Sequence, residues 1–195
     1  HMPDLRISGL PVASTPLTGA ELVPVVQGGT TEQTTVTAIL KSAAPGGAGG
    51  TAVGAGALNP AGTGADNTAV GASALAVNTT GANNTALGRS ALDANTTASN
   101  NTAVGVDALG TTTSAGNNTA IGRSAMQNAT TATQCVFVGW QAGYYAQGNS
   151  NIGVGANAGL NITTGGNNVC VGTDSGISMT TGEVNVFVGG QAGRN

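Results

Sequence analysis

Large core-forming side chains are scarce here: of 195 residues only 3% are aromatic and 7% charged, and the hydrophobic 39% owes much to alanine. A two-layer domain packed around Leu, Ile and Phe is hard to assemble from that composition. Charge is short in both signs, with 5 Lys+Arg against 8 Asp+Glu and a formal net charge of −3. The low-hydropathy, high-charge signature of disorder is missing too. No basic run exists to hold a phosphate backbone, which argues against nucleic acid as a partner. No apolar run approaches the roughly 20 residues that cross a bilayer, and no signal peptide is visible, so membrane insertion is not expected.

Histidine is limited to His1, which with Met2 reads as a tag remnant. The usual base for a Ser or Cys nucleophile is therefore lacking. Cys135 and Cys170 have neither the paired spacing of a zinc site nor the density of a disulfide scaffold. They are expected as small buried residues with free thiols.

What the sequence does have is a repeat. The segment N-T-A-V-G at Asn67 to Gly71 recurs unchanged at Asn101, with Leu for Val at Asn84 and Ile for Val at Asn118, a step of 17 residues. The glycine alone forms a longer ladder of nine rungs: Gly54, Gly71, Gly88, Gly105, Gly122, Gly139, Gly155, Gly172 and Gly189. One step, from Gly139 to Gly155, has 16 residues. After each glycine comes a second signature, G-x-x-A-L in the early rungs and G-x-x-A-G or a variant in the later ones.

Each rung is thus expected to hold two short extended pieces separated by Asn, Gly, Ser and Thr turns. The residue before each ladder glycine is aliphatic, from Val53 and Val70 to Val171 and Val188. With a side-chain period of two, that position is expected to face a core together with the residue two before it. Ala69, Ala86, Ala103 and Ala120 would then lie on the opposite face, small enough for neighbouring chains to approach. The ladder glycine is expected at a bend or a close backbone approach. Stacked rungs would align Asn67, Asn84, Asn101 and Asn118 into a ladder of amides. At about 4.8 Å per rung the stack would be roughly 40 Å long. So slim a coil buries few methylenes, at about 0.8 kcal/mol each, against about 1–2 kcal/mol of backbone entropy per residue, so association of identical chains is expected.

Catalytic chemistry finds no foothold in this pattern. The carboxylates are scattered, and only Asp107 and Asp174 share a rung position. Four rungs separate them, about 19 Å, beyond the roughly 5–9.5 Å of a glycosidase pair. The calcium-binding nonapeptide of β-rolls is absent. No catalytic residue, cofactor or metal ligand is therefore assigned, and the chain reads as a non-enzyme. Four of its five aromatic residues, Phe137, Trp140, Tyr144 and Tyr145, fall together around the shortened rung. Trp140, Tyr144 and Tyr145 are candidate contacts for a glycan or receptor. Alternatively, these residues fill the space where Leu of G-x-x-A-L has become Gly143.

The rungs resemble the left-handed β-roll heads of trimeric autotransporter adhesins. They are still more similar to the Asn- and Gly-rich repeats of phage tail fibres, above all N-V-F-V-G-G-Q-A-G at Asn185 to Gly193 and C-V-F-V-G-W-Q-A-G-Y at Cys135 to Tyr144. The resemblance covers about residues 51 to 195. The opening segments L-R-I-S-G-L-P and L-T-G-A-E-L-V-P-V-V-Q-G-G-T-T resemble an amino-terminal module of phage fibre proteins.

The organisation expected is a fibre module over residues 3–41, a Gly/Ala/Pro linker over 42–50 and an all-β roll or solenoid over 51–195. Within the module, Glu21 to Gln27 reads as a strand, Gly28-Gly29 as a turn and Val36 to Lys41 as a strand end or short helix capped by Thr35. The resemblance implies a homotrimeric fibre shaft or receptor-binding appendage on a virion, in contact with other tail proteins and with a host surface glycan or protein. The alternatives are an adhesin head on a bacterial surface, an ice-binding solenoid and a capsule depolymerase.

Overall fold

A computed structural model describes the backbone of Leu22–Gln27, Thr30–Thr35 and Lys41–Ser42, and residues 49–194 in full. The expected Gly28-Gly29 turn, the reading of residues 36–40, the tag remnant and most of the linker lie outside the described residues. Contacts divide the chain between Leu40 and Lys41. In the first unit β1 (Leu22–Gln27) pairs antiparallel with β2 (Thr30–Thr35) in register from Leu22↔Thr35 to Gln27↔Thr30.

The second unit is a parallel β-solenoid with no helix among its described residues. Nine three-residue strands stack in sequence order: β4 (Thr51–Val53), β5 (Thr68–Val70), β6 (Thr85–Leu87), β7 (Thr102–Val104), β8 (Thr119–Ile121), β9 (Val136–Val138), β10 (Ile152–Val154), β11 (Val169–Val171) and β12 (Val186–Val188). Each pairs with its equivalent one turn on, as Thr85↔Thr102 and Leu87↔Val104. The short β3 (Lys41–Ser42) runs antiparallel on the outer edge of β4.

Only one extended piece exists per turn. The G-x-x-A-L segment is a chain of tight turns instead, because alternate residues take left-handed backbone angles: φ is 139° at Gly88, 56° at Ser90 and 52° at Leu92. Asn83, five residues before the glycine, is also left-handed at 57°, a conformation that Asn tolerates better than most residues. The ladder glycines are dictated twice over. A Cβ on Gly105, at φ 134°, would lie 2.5 Å from the carbonyl oxygen of Gly122 in the next rung, so both the backbone angle and the stacking distance exclude a side chain.

The inward face is the reverse of the sequence expectation. Ala69, Ala86, Ala103 and Ala120, at the centres of their strands, are fully buried inside the coil, while Leu87 is 47% exposed and Ile121 39%. Ranking positions by hydrophobicity fails because the cross-section is too narrow for two branched side chains. A strand contributes one small residue, and the facing turn contributes Leu75, Leu92, Leu109 or Met126.

In the sixth rung that division is exchanged: Phe137 replaces the central alanine and Gly143 replaces the leucine. The ring also reaches the next rung, where Gly153 leaves room for it; a Cβ there would sit 2.3 Å from Phe137 Cδ1.

The asparagine ladder forms, with side chains bonding mainly to backbone. Asn84 Nδ2 donates to the Ala98 carbonyl at 2.8 Å, and its Oδ1 accepts the Asn101 N–H at 3.0 Å. The same pair of bonds recurs at Asn67, Asn101 and Asn118. At Cys135 the column is interrupted; its Sγ lies 3.3 Å from the Gly148 carbonyl and accepts the Asn151 N–H at 3.4 Å. Asn151, Asn168 and Asn185 then resume it. Both cysteines are buried and free.

The 16-residue turn is mended by a side chain. At four other steps one threonine carbonyl accepts two or three N–H groups of the rung before, as Thr96 does from Thr79 and Thr80. In the short turn Gln147 supplies its side-chain oxygen instead, accepting the N–H of Thr130 at 3.0 Å and of Thr131 at 3.1 Å.

Candidate functional site

Two surfaces stand out, one on the sheet and one on a turn. The first is the outer face of the sheet. One column holds Val53, Val70, Leu87, Val104, Ile121, Val138, Val154, Val171 and Val188. The parallel column holds Thr51, Thr68, Thr85, Thr102 and Thr119, then Val136, Ile152, Val169 and Val186. Side chains two residues apart stand about 7 Å from each other and rungs about 4.8 Å, so the strip is about 40 Å long and on the order of 300 Å². That is about the size of the largest apolar patch on an ordinary single chain, which is often functional. Threonine in the first five rungs and aliphatic residues in the last four make the face driest toward β12.

The second surface is the aromatic corner, which the structure divides. Phe137 goes to the core and occupies the volume vacated at Gly143, leaving the other three outside. Trp140 is 49% exposed and Tyr145 48%, with Tyr144 half-buried. The two tyrosine rings meet edge to face with centroids 4.7 Å apart. Core filling is thus the role of Phe137 alone. On the turns beside Tyr145, the Asn161 Nδ2 donates to the Ile177 carbonyl and the Asn128 carbonyl accepts from Gln147 Nε2.

Among the described residues no group of three or more His, Cys, Asp and Glu side chains converges as a metal site. Asp107 bonds Arg89 at 3.3 Å, and Asp174 accepts from Asn157 Nδ2 at 2.9 Å. Burial, with the neighbouring negative charge of Asp107 adding to it, raises the Asp93 carboxyl above its ordinary range. Burial likewise pushes both thiols up, Cys170 to about 11, which leaves them protonated and poorly nucleophilic at neutral pH. An open cleft of about 400 Å³ on the last turn is lined by Met179, Asn185, Phe187 and Arg194, where only Arg194 is ionisable. No helix among the described residues is long and apolar enough to cross a membrane.

Sequence reasoning missed Asn151, Asn168 and Asn185 as members of the asparagine ladder, although each stands four residues before a ladder glycine, as Asn67 does. It also missed Arg123, which sits one turn before Trp140 in the same column. Compared with protein-family models, curated proteins and solved structures, the chain matches none of them.

Proposed function

We propose that this chain is a structural and binding protein whose solenoid associates with identical copies, three around a shared axis, to form the shaft or receptor-binding appendage of a phage tail fibre. The observation that carries this reading is the uninterrupted aliphatic column on the outer face of the sheet. Nine consecutive turns present a Val, Leu or Ile on the outer face, a column that another copy of the same spacing would cover. The interior argues the same way: each of the first four turns buries little beyond two alanines and one leucine, a small return for ordering 17 residues. The notion that alanines line the contact between chains is replaced by one in which the aliphatic columns do. Repetition of three identical faces would turn weak contacts with a host surface into avid ones.

Gel migration without boiling tests the assembly. A band that runs as a multimer unboiled and as a single chain after boiling supports the reading. Migration as a single folded chain under both conditions contradicts it. Blocking of phage adsorption by the purified protein tests the attachment role separately.

One observation favours a second reading. Thr51, Thr68, Thr85, Thr102 and Thr119 lie in strands and face outward, each two residues from an aliphatic side chain, a regular array of the kind an ice-binding face uses. Thermal hysteresis of the purified protein decides for it, and its absence removes it.

A further inference from the structure

The residue after each ladder glycine forms a column along one edge of the solenoid, in which Arg89, Val106, Arg123, Trp140 and Ala156 follow one another. Backbone bonds fix the register. Gln141 N–H donates to the Arg123 carbonyl at 3.1 Å, and Asn157 N–H donates to the Trp140 carbonyl at 2.9 Å. Arg123 and Trp140 are therefore equivalent positions one rung apart, about 4.8 Å along the stack.

Neither the core nor assembly explains an exposed indole here. The core volume of that turn is filled by Phe137, and Trp140 remains 49% exposed. The column also carries Arg89 and Arg123, both exposed, and a dry contact between copies would have to desolvate these cations. Arg89 is engaged by Asp107. Arg123 has no ion pair among the described residues, because the only carboxylate in the adjoining turn, Asp107, points to the rung before it. A half-exposed indole at the position one rung from an exposed guanidinium with no ion pair puts a flat apolar surface and a planar, bidentate anion donor within reach of one ligand.

We propose that Arg123 and Trp140 form a binding subsite for a carboxylate-bearing sugar residue, the C–H face of the pyranose lying on the indole and the carboxylate on the guanidinium. Charge complementarity selects an acidic sugar over a neutral one. The inference rests on the appendage reading only in requiring that this edge stay open to solvent in the assembly.

Trp140 is the only tryptophan in the chain, so emission excited at the red edge of indole absorption, where tyrosine does not absorb, reports this site alone. Oligogalacturonate and sialyllactose serve as the two carboxylated probes, and lactose as the neutral control. The expected result is a saturable change in emission with at least one carboxylated probe, weakened by salt; which probe responds distinguishes a uronate from a sialate. Arg123→Gln should lower that affinity by about tenfold while circular dichroism stays unchanged. Trp140→Phe, followed by calorimetry because the fluorophore is lost, should weaken binding as well. No saturable response to either acidic probe at millimolar concentration overturns the subsite, as do equal binding of lactose or an unaltered affinity in the Arg123→Gln protein. Light scattering on the same samples keeps the two ideas apart, since a single chain that binds the acidic sugar sinks the assembly and leaves the subsite standing.

Discussion

The ring of Phe137 occupies the space that a side chain at Gly143 would need: a Cβ there would lie 2.6 Å from two ring carbons and 2.7 Å from a third. In the early turns the strand gives alanine and the turn gives leucine, whereas here the strand gives the bulk and the turn gives none. Phe137→Ala should cost about 3–5 kcal/mol by opening a cavity, and Gly143→Leu about 1–3 kcal/mol or more by overpacking. Together they restore the alanine and leucine pairing of Ala103 and Leu109. The double variant should then be more stable than the sum of the two losses by at least about 1 kcal/mol. Urea midpoints of the four proteins measure this, and simple additivity would contradict it.

The shortened turn depends on one amide. Gln147→Ala removes the acceptor of the Thr130 and Thr131 N–H groups and should cost about 1–3 kcal/mol. Inserting a threonine after Ala146 lengthens the turn to the common period and should make the glutamine dispensable. Thermal melts of the insertion with and without Gln147→Ala check this; an equal loss in both backgrounds would mean the side chain does not replace the missing carbonyl.

Buried thiols carry a pH signature. The Cys170 thiol is raised from 9.0 to about 11 in the folded chain, so the unfolded chain loses its proton first. Its contribution to stability is complete below about pH 9 and is lost as pH rises toward about 11. Cys170→Ala should flatten the decline of stability across that window. Neither native thiol should react with a thiol reagent at neutral pH until the protein is unfolded, and rapid modification of the native protein would count against their burial.

Two glycines separate backbone demand from mere tolerance. Gly105→Ala meets both a forbidding φ of 134° and a carbonyl oxygen 2.5 Å from the new Cβ, and is expected to cost several times the roughly 1 kcal/mol typical of a point substitution. At Gly110 the nearest atom to a Cβ is 3.3 Å away and no left-handed angle is required, so Gly110→Ala should change the unfolding midpoint little. Equal effects would remove the ladder's special role.

The period, the glycine ladder, the single short step and the asparagine column can all be read along the chain, because each is enforced at one fixed position by backbone geometry. Which face of the strand points inward is not legible from hydrophobicity. Val104 looks more core-like than Ala103, and only the width of the coil reverses the choice. A signal was nonetheless present: the change from Ala120 and Met126 to Phe137 and Gly143 conserves volume across two positions, as partners inside one core must. The turns after each glycine read as a second extended piece because Leu75, Leu92 and Leu109 are poor predictors of a left-handed angle. The Trp140, Tyr144 and Tyr145 group is visible as a cluster in sequence, yet its separation from Phe137 depends on the same inward choice. The part of Arg123 emerges only when the turns are stacked.

Multi-angle light scattering of the intact chain at micromolar concentration tests most directly whether the aliphatic columns are covered by identical copies. The expected mass is three times the 18.6 kDa of one chain, falling toward one chain when Val138 and Val154 are both replaced by glutamate. A folded, soluble particle of 18.6 kDa in the unaltered protein, stable to dilution, would contradict it.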